Sequence, residues 1–107
     1  MFLIWKKKKV LIFIICYQSS FRLLDLFKKI PFKKLKKYDY KILISDDCSD
    51  DDTINFAKKI KKINKFIQIK RNKNNLGYGK HIKKCLKYAI DCKYDYAVMI
   101  HGDGQFN

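Results

Sequence analysis

The chain has 107 residues, 48% of them hydrophobic, with one Pro and four Gly. That describes one small domain, or part of a larger one, with enough apolar residues for a core, and it excludes a disordered or low-complexity chain. The formal charge of +15 suits phosphates, nucleic acid or anionic lipid, yet all the basic residues except Arg22 and Arg71 are lysines, a loading that compositional drift also produces.

Lys6 to Lys9 precede the apolar run Val10 to Tyr17, an arrangement that mimics a signal peptide. The run is short for a leader and far too short to span a bilayer. No small-x-small site follows it, so a buried parallel strand is the better reading. Ser19 or Ser20 then caps a helix expected to reach about Lys29. Its apolar residues Phe21, Leu24 and Phe27, with Leu23, Leu26 and Ile30, recur at helical spacing, and Pro31 lies just past its end.

Tyr40 to Ser45 reads as a second strand, followed by the loop Asp46-Asp47-Cys48-Ser49. Ser49 and Asp52 have the spacing of a capping box, and Asp50 to Asp52 suit a helix first turn. The helix that follows carries Ile54, Ala57, Ile60 and Ile63 on its expected inner face, with lysines toward its end. Phe66 to Lys70 alternates like a third strand. A polar loop, Arg71 to Gly79, leads into a helix from about Tyr78 to Asp91, with Ile82, Leu86, Ala89 and Ile90 expected inside. Tyr94 to Ile100 is the fourth strand.

The order β-α-β-α-β-α-β predicts an α/β fold with a mainly parallel sheet and flanking helices. In such sheets ligands lie at the carboxyl ends of the strands. Every polar motif of this chain follows a strand: Tyr17-Gln18-Ser19, Asp46-Asp47, Arg71 to Gly79, and His101 to Gln105. One composite site is the economical reading. The last motif, His101-Gly102-Asp103-Gly104-Gln105, puts a carboxylate between glycines, where a hard divalent cation and a phosphate can both approach.

The four cysteines, Cys16, Cys48, Cys85 and Cys92, form no CxxC pair, so a zinc site with paired ligands is not expected. Reduced thiols in a cytoplasmic protein are the expectation.

In order, these motifs resemble the amino-terminal half of family 2 glycosyltransferases of the GT-A fold, dolichyl-phosphate mannose synthase-like enzymes among them. Ile15-Cys16-Tyr17-Gln18-Ser19 stands where the family has its first strand and turn. Asp46-Asp47-Cys48-Ser49-Asp50-Asp51 matches an Asp-Asp-x-Ser-x-Asp loop, and Asn75-Leu76-Gly77-Tyr78-Gly79 an Asn-x-Gly-x-Gly stretch. His101-Gly102-Asp103 matches the Asp-x-Asp metal loop, with His in place of the first Asp. Gln18 and Ser19 replace the usual Asn and Glu.

The resemblance implies a Rossmann-like layer binding a nucleotide-diphospho-sugar donor, cut off after the metal loop, over residues 1–107 as a single partial domain. It implies an inverting enzyme that passes the sugar to a polyprenyl phosphate or a glycan, as in cell-wall or glycan biosynthesis. Tyr17 would flank the base, and Asp47 would accept a hydrogen bond from it. Asp46 would fix the loop or reach the ribose. Gly77 would line the nucleotide, and Lys80 or His81 would add positive potential near phosphate. Asp103, with His101, would hold Mn²⁺ or Mg²⁺. The catalytic base is expected beyond residue 107, so no catalytic residue is nominated and an inactive, truncated product is one expectation. The implied location is cytoplasmic, with peripheral association at the cytoplasmic face of a membrane and no specific nucleic acid.

Two rivals remain. One is a non-catalytic basic α/β module that binds nucleic acid or an anionic membrane surface through its lysines, with steep salt dependence. The other is a different nucleotide-binding protein of Rossmann type, disfavoured because no GxGxxG follows the first strand.

Overall fold

A computed structural model describes residues 6–20 and 22–102. It has four strands, β1 (Lys9–Cys16), β2 (Asp39–Asp46), β3 (Ile67–Arg71) and β4 (Tyr96–His101). Four helices accompany them: α1 (Arg22–Lys28), α2 (Phe32–Leu35), α3 (Thr53–Ile63) and α4 (Tyr78–Asp91). The strands form one parallel sheet in the order β3-β2-β1-β4.

β1 is central because both its faces are apolar. Val10, Ile12, Ile14 and Cys16 pack with α1 and α3, through Leu23, Leu26, Phe27, Ala57 and Ile60. Leu11, Phe13 and Ile15 point the other way, toward Cys85 and Ala89 of α4. A continuous apolar run is what a strand covered on both sides requires. Removing a large fully buried side chain such as Phe13 from this layer would cost about 3–5 kcal/mol. β4 is an outer strand, and Tyr96, Val98 and Met99 on it are exposed.

Several expectations change. Pro31 lies past the end of α1, as expected, and is also the N-cap of a further short helix, α2, which the reading above did not anticipate. A Pro is tolerated there because that N–H has no helical partner. The Ser49–Asp52 capping box does not form: α3 starts at Thr53, and the Asp52 side chain caps nothing. Nor do Asp50 to Asp52 occupy the helix's first turn; they precede it. Ser49 is used elsewhere, by the buried Asp46 carboxylate. On α3 the buried residues are Thr53, Ala57 and Ile60, while Ile63 is exposed. On α4 they are His81, Cys85 and Ala89, while Leu86 and Ile90 are exposed. Phe21 and Asp103 to Asn107 lie outside the described residues.

The register sets the level of the functional groups. Cys16 is paired with Asp46, Asp46 with Arg71, and Ile15 with His101. The carboxyl ends of all four strands therefore finish side by side.

Candidate functional site

Asp46 ends β2 with no exposed surface. A buried carboxylate needs partners, and these are local. Its two oxygens accept hydrogen bonds from the Ser49 N–H at 2.9 Å and from the Ser49 hydroxyl. Arg71 Nε lies 3.5 Å from Asp46 Oδ2, and Arg71 Nη2 donates to the Ser49 carbonyl at 2.7 Å. These contacts curl the chain after β2, with Cys48 in the left-handed region at φ 64°.

Asp47 is also buried and organises a second loop. Its Oδ1 accepts from Asn72 Nδ2 at 2.9 Å and Leu76 N at 2.8 Å, and its Oδ2 accepts from Gly77 N at 3.0 Å. Asn72 in turn accepts from Lys84 Nζ at 2.7 Å. Gly77 has φ +82°, a conformation a side chain would strain, and it precedes the first turn of α4. Burial raises the Asp47 pKa, but the hydrogen bonds from Leu76, Asn72 and Gly77 outweigh it and hold the carboxyl below its ordinary value.

The turn after β1 is tied to the same region. Gln18 N donates to Ser49 Oγ at 2.8 Å, and the Gln18 amide pairs with Asp50 through its side chain and the Asp50 N–H. Ser19 N and Ser20 N both donate to Thr53 Oγ1, at 2.9 and 2.8 Å, and Thr53 is held by Asp51. Gln18 and Ser20 adopt positive φ. Tyr17 is left 54% exposed on this turn, an open aromatic surface beside the two buried aspartates.

The glycine loop meets β4 through a ring pair. Tyr78 and His101 stack with centroids 5.3 Å apart and planes 7° apart, and Tyr78 Oη lies 3.1 Å from His101 Nε2. Gly102 follows, with its N–H donating to the Ile15 carbonyl at 2.8 Å. A Cβ on Gly102 would meet Cys16 Sγ at 2.7 Å, the Ile15 carbonyl at 2.9 Å and Ser19 Oγ at 2.9 Å. Only hydrogen fits where the last strand crosses the first turn.

His81 differs from its expected part. It is buried, and its Nε2 shares a 2.7 Å hydrogen bond with Ser45 Oγ. Burial pushes its pKa down more than Asp47 and Asp46 push it up, so the ring is neutral at pH 7 and adds no positive charge. Lys80 is exposed on the first turn of α4.

Of the residues singled out from the sequence, Tyr17, Asp46, Asp47 and Gly77 share one rim. His101 joins it through Tyr78, and Asp103 lies outside the described residues. Among the described residues no three His, Cys, Asp or Glu side chains converge on a metal position. His101 Nε2 is engaged by the Tyr78 hydroxyl. Sequence reasoning missed Arg71, Asn72, Thr53 and Tyr78. Arg71 carried a signal, being one of two arginines among 25 basic residues, where a forked guanidinium does what lysine cannot. Thr53 and Asn72 carried none, because their partners are distant in sequence.

A model of the family described as Glycosyl transferase family 2 matches residues 11–107. No curated protein matches the sequence. Among solved structures the fold is similar to S. aureus TarS, with TM-score 0.67 and 20% identity, covering 89% of this chain and 16% of that one. TarS 1-349 in complex with UDP-GlcNAc matches with TM-score 0.66 and 22% identity, over 89% of this chain and 26% of that one. The UDP complex of TarS 1-349 matches with TM-score 0.67 and 23% identity, over 89% and 27%. The chain thus spans about a quarter or less of the length of these three structures.

Proposed function

Because the chain belongs to glycosyl transferase family 2, we propose that it is the donor-binding part of an enzyme that transfers a sugar from a nucleotide-diphospho-sugar. The observation that carries this reading is the Asp47 carboxylate. It gathers the N–H groups of Leu76 and Gly77 and the Asn72 amide at the carboxyl ends of β1 and β2, beside the exposed Tyr17.

In this reading Tyr17 stacks on the nucleobase. The base edge approaches Asp47, whose ionised state is maintained by its hydrogen bonds. Asp46, locked to Ser49 and Arg71, holds the loop that shapes the base pocket. The turn at Gly77 lets the backbone approach the nucleotide, and Lys80 lies near enough along the helix to face a phosphate. Gly102 keeps the end of β4 tight against the first turn.

A divalent cation, Mn²⁺ or Mg²⁺, belongs to the reading as a cofactor. When bound it neutralises the diphosphate leaving group. Asp103 is proposed as its carboxylate ligand and His101 as a neighbour. The acceptor is proposed to be a polyprenyl phosphate or a glycan, dolichyl-phosphate mannose synthase-like enzymes being the subtype suggested by the motifs. Cytoplasmic location is proposed with it, and no helix among the described residues is long and apolar enough to cross a membrane.

The test is calorimetric titration of the chain with UDP, GDP and CDP, with and without Mn²⁺. UDP is the first choice, since TarS was crystallised with UDP and with UDP-GlcNAc. Binding of one nucleotide, lost in Asp47→Ala and made metal-independent or lost in Asp103→Ala, is the expected result. A folded chain that binds none of the three would overturn the donor-site reading.

A further inference from the structure

Five of the chain's ten acidic residues lie at one end of the sheet. Asp46, Asp47, Asp50, Asp51 and Asp52 gather at the carboxyl ends of the strands, around the site described above. The opposite end is basic. Lys6 to Lys8 lead into β1, and six lysines lie between positions 28 and 37, spanning the end of α1 and all of α2. All nine are exposed. Topology gathers them, because α1 returns the chain from the carboxyl end of β1 to the amino end of β2. The two groups touch: Lys7 Nζ donates to the Lys36 carbonyl at 2.9 Å.

The acids at this end do little to offset them. Asp91 is paired with Lys87, which leaves Asp39 and Asp95, the latter also accepting the Lys9 N–H at 2.7 Å, against nine lysines. An apolar cleft of about 670 Å³ runs between α1–α2 and the β1–β4 face, lined by Val10, Ile12, Ile30 and Tyr96, with Lys8 and Lys29 also on its wall. Of the nearby aromatic rings, Phe32 packs on Phe27 and Tyr40 on Phe66, while Tyr96 is exposed on the cleft wall.

We propose that the amino-terminal end of the sheet is a docking face for an anionic lipid bilayer. Clustered lysines on and beside a short helix attract acidic headgroups within a Debye length. The exposed Tyr96 on the cleft wall adds an apolar component of interfacial binding beside the lysines. Nucleic acid is the less favoured partner. An apolar cleft offers nothing to phosphates, and arginine is absent from the cluster. The donor end then faces the aqueous phase, where soluble nucleotide-sugars are. The proposal does not depend on the donor-site reading.

Co-sedimentation tests it, using the full chain with vesicles of phosphatidylcholine alone and of an equal mixture with phosphatidylglycerol. Binding to the anionic vesicles only is expected, weakening as salt rises. Lys33→Gln, Lys34→Gln, Lys36→Gln and Lys37→Gln combined should lower the partition by more than about tenfold. The same four changed to Arg should keep it, which also reports intact folding. Four lysines elsewhere, Lys58, Lys59, Lys73 and Lys83, changed to Gln should lower it by less than about threefold. Equal losses in both Gln variants would overturn the proposal in favour of bulk charge. So would no binding to anionic vesicles, or pelleting without vesicles, which would mean that a second copy covers the cleft. Tighter binding to RNA than to vesicles, lost in the α2 variant, would reassign the face to nucleic acid. Nucleotide titration of the same samples reports on the opposite end separately.

Discussion

Asp47 and Gly77 are joined by a 3.0 Å hydrogen bond from the Gly77 N–H to the Asp47 carboxylate, across 30 residues of sequence. With the bond from Leu76 N to the other oxygen, it ties the loop after β2 to the loop before α4. One side chain thus fixes the distance between two of the four motifs.

Asp47→Asn should loosen that tie. The amide can accept through its oxygen alone, and its NH₂ faces a backbone donor. A stability loss of about 1.5–3 kcal/mol is expected, the range for hydrogen bonds to a charged group. Urea unfolding measures it, and hydrogen exchange should show faster exchange at Leu76 and Gly77 with β1 and β2 unchanged. Slow exchange at both amides in the variant would show that other contacts hold the loop.

The Tyr78–His101 stack links the start of α4 to the end of β4. Tyr78→Phe keeps the stack and loses the hydrogen bond to Nε2. Because Tyr78 is exposed, a cost of about 0.5 kcal/mol is expected for Phe and about 1 kcal/mol for Ala. Identical urea midpoints for wild type, Phe and Ala would show that the pair contributes nothing to stability.

Gly102→Ala places a methyl against Cys16 Sγ, the Ile15 carbonyl and Ser19 Oγ, all within 2.9 Å. Two of the three atoms belong to the β1 end, so the strand or the turn must shift. A destabilisation of about 1–3 kcal/mol is expected, as for other overpacked positions. Nucleotide affinity should fall as well. A variant with wild-type Tm and affinity would show that the turn yields freely.

Acid should weaken the fold in two windows with the same sign. The His81 pKa is lowered from 6.5 in the folded state, so as pH falls below that value the unfolded chain binds the proton first and stability declines. The Asp47 pKa is lowered from 3.8, and its contribution, complete above that value, is lost as pH falls further toward the folded pKa. Tm should therefore drop from pH 7.5 to 5, and His81→Gln should flatten that part of the profile. An unchanged slope in the variant would remove His81 as the cause.

The sequence by itself determined the element order apart from α2, the parallel sheet and the end of it where the polar motifs gather. Those follow from local signals: the apolar run from Val10 to Cys16 has to be a strand covered on both faces, and each polar motif immediately follows a strand. Tertiary structure alone decided which groups are buried and whom they meet. Ile63 and Ile90, which periodicity placed inside, are exposed, while Ile60 and Ala89 on the same helices are buried. Ser49 caps no helix, because the buried Asp46 carboxylate requires its hydroxyl and N–H. His81, which helix position offered as a cation, is a neutral core residue bonded to Ser45. Such partnerships join residues 25 to 36 positions apart, as Asp47 with Asn72 and Ser45 with His81 do. Periodicity carries no information at that range. It is the strand register, set by packing on both faces of β1, that brings those side chains to one level.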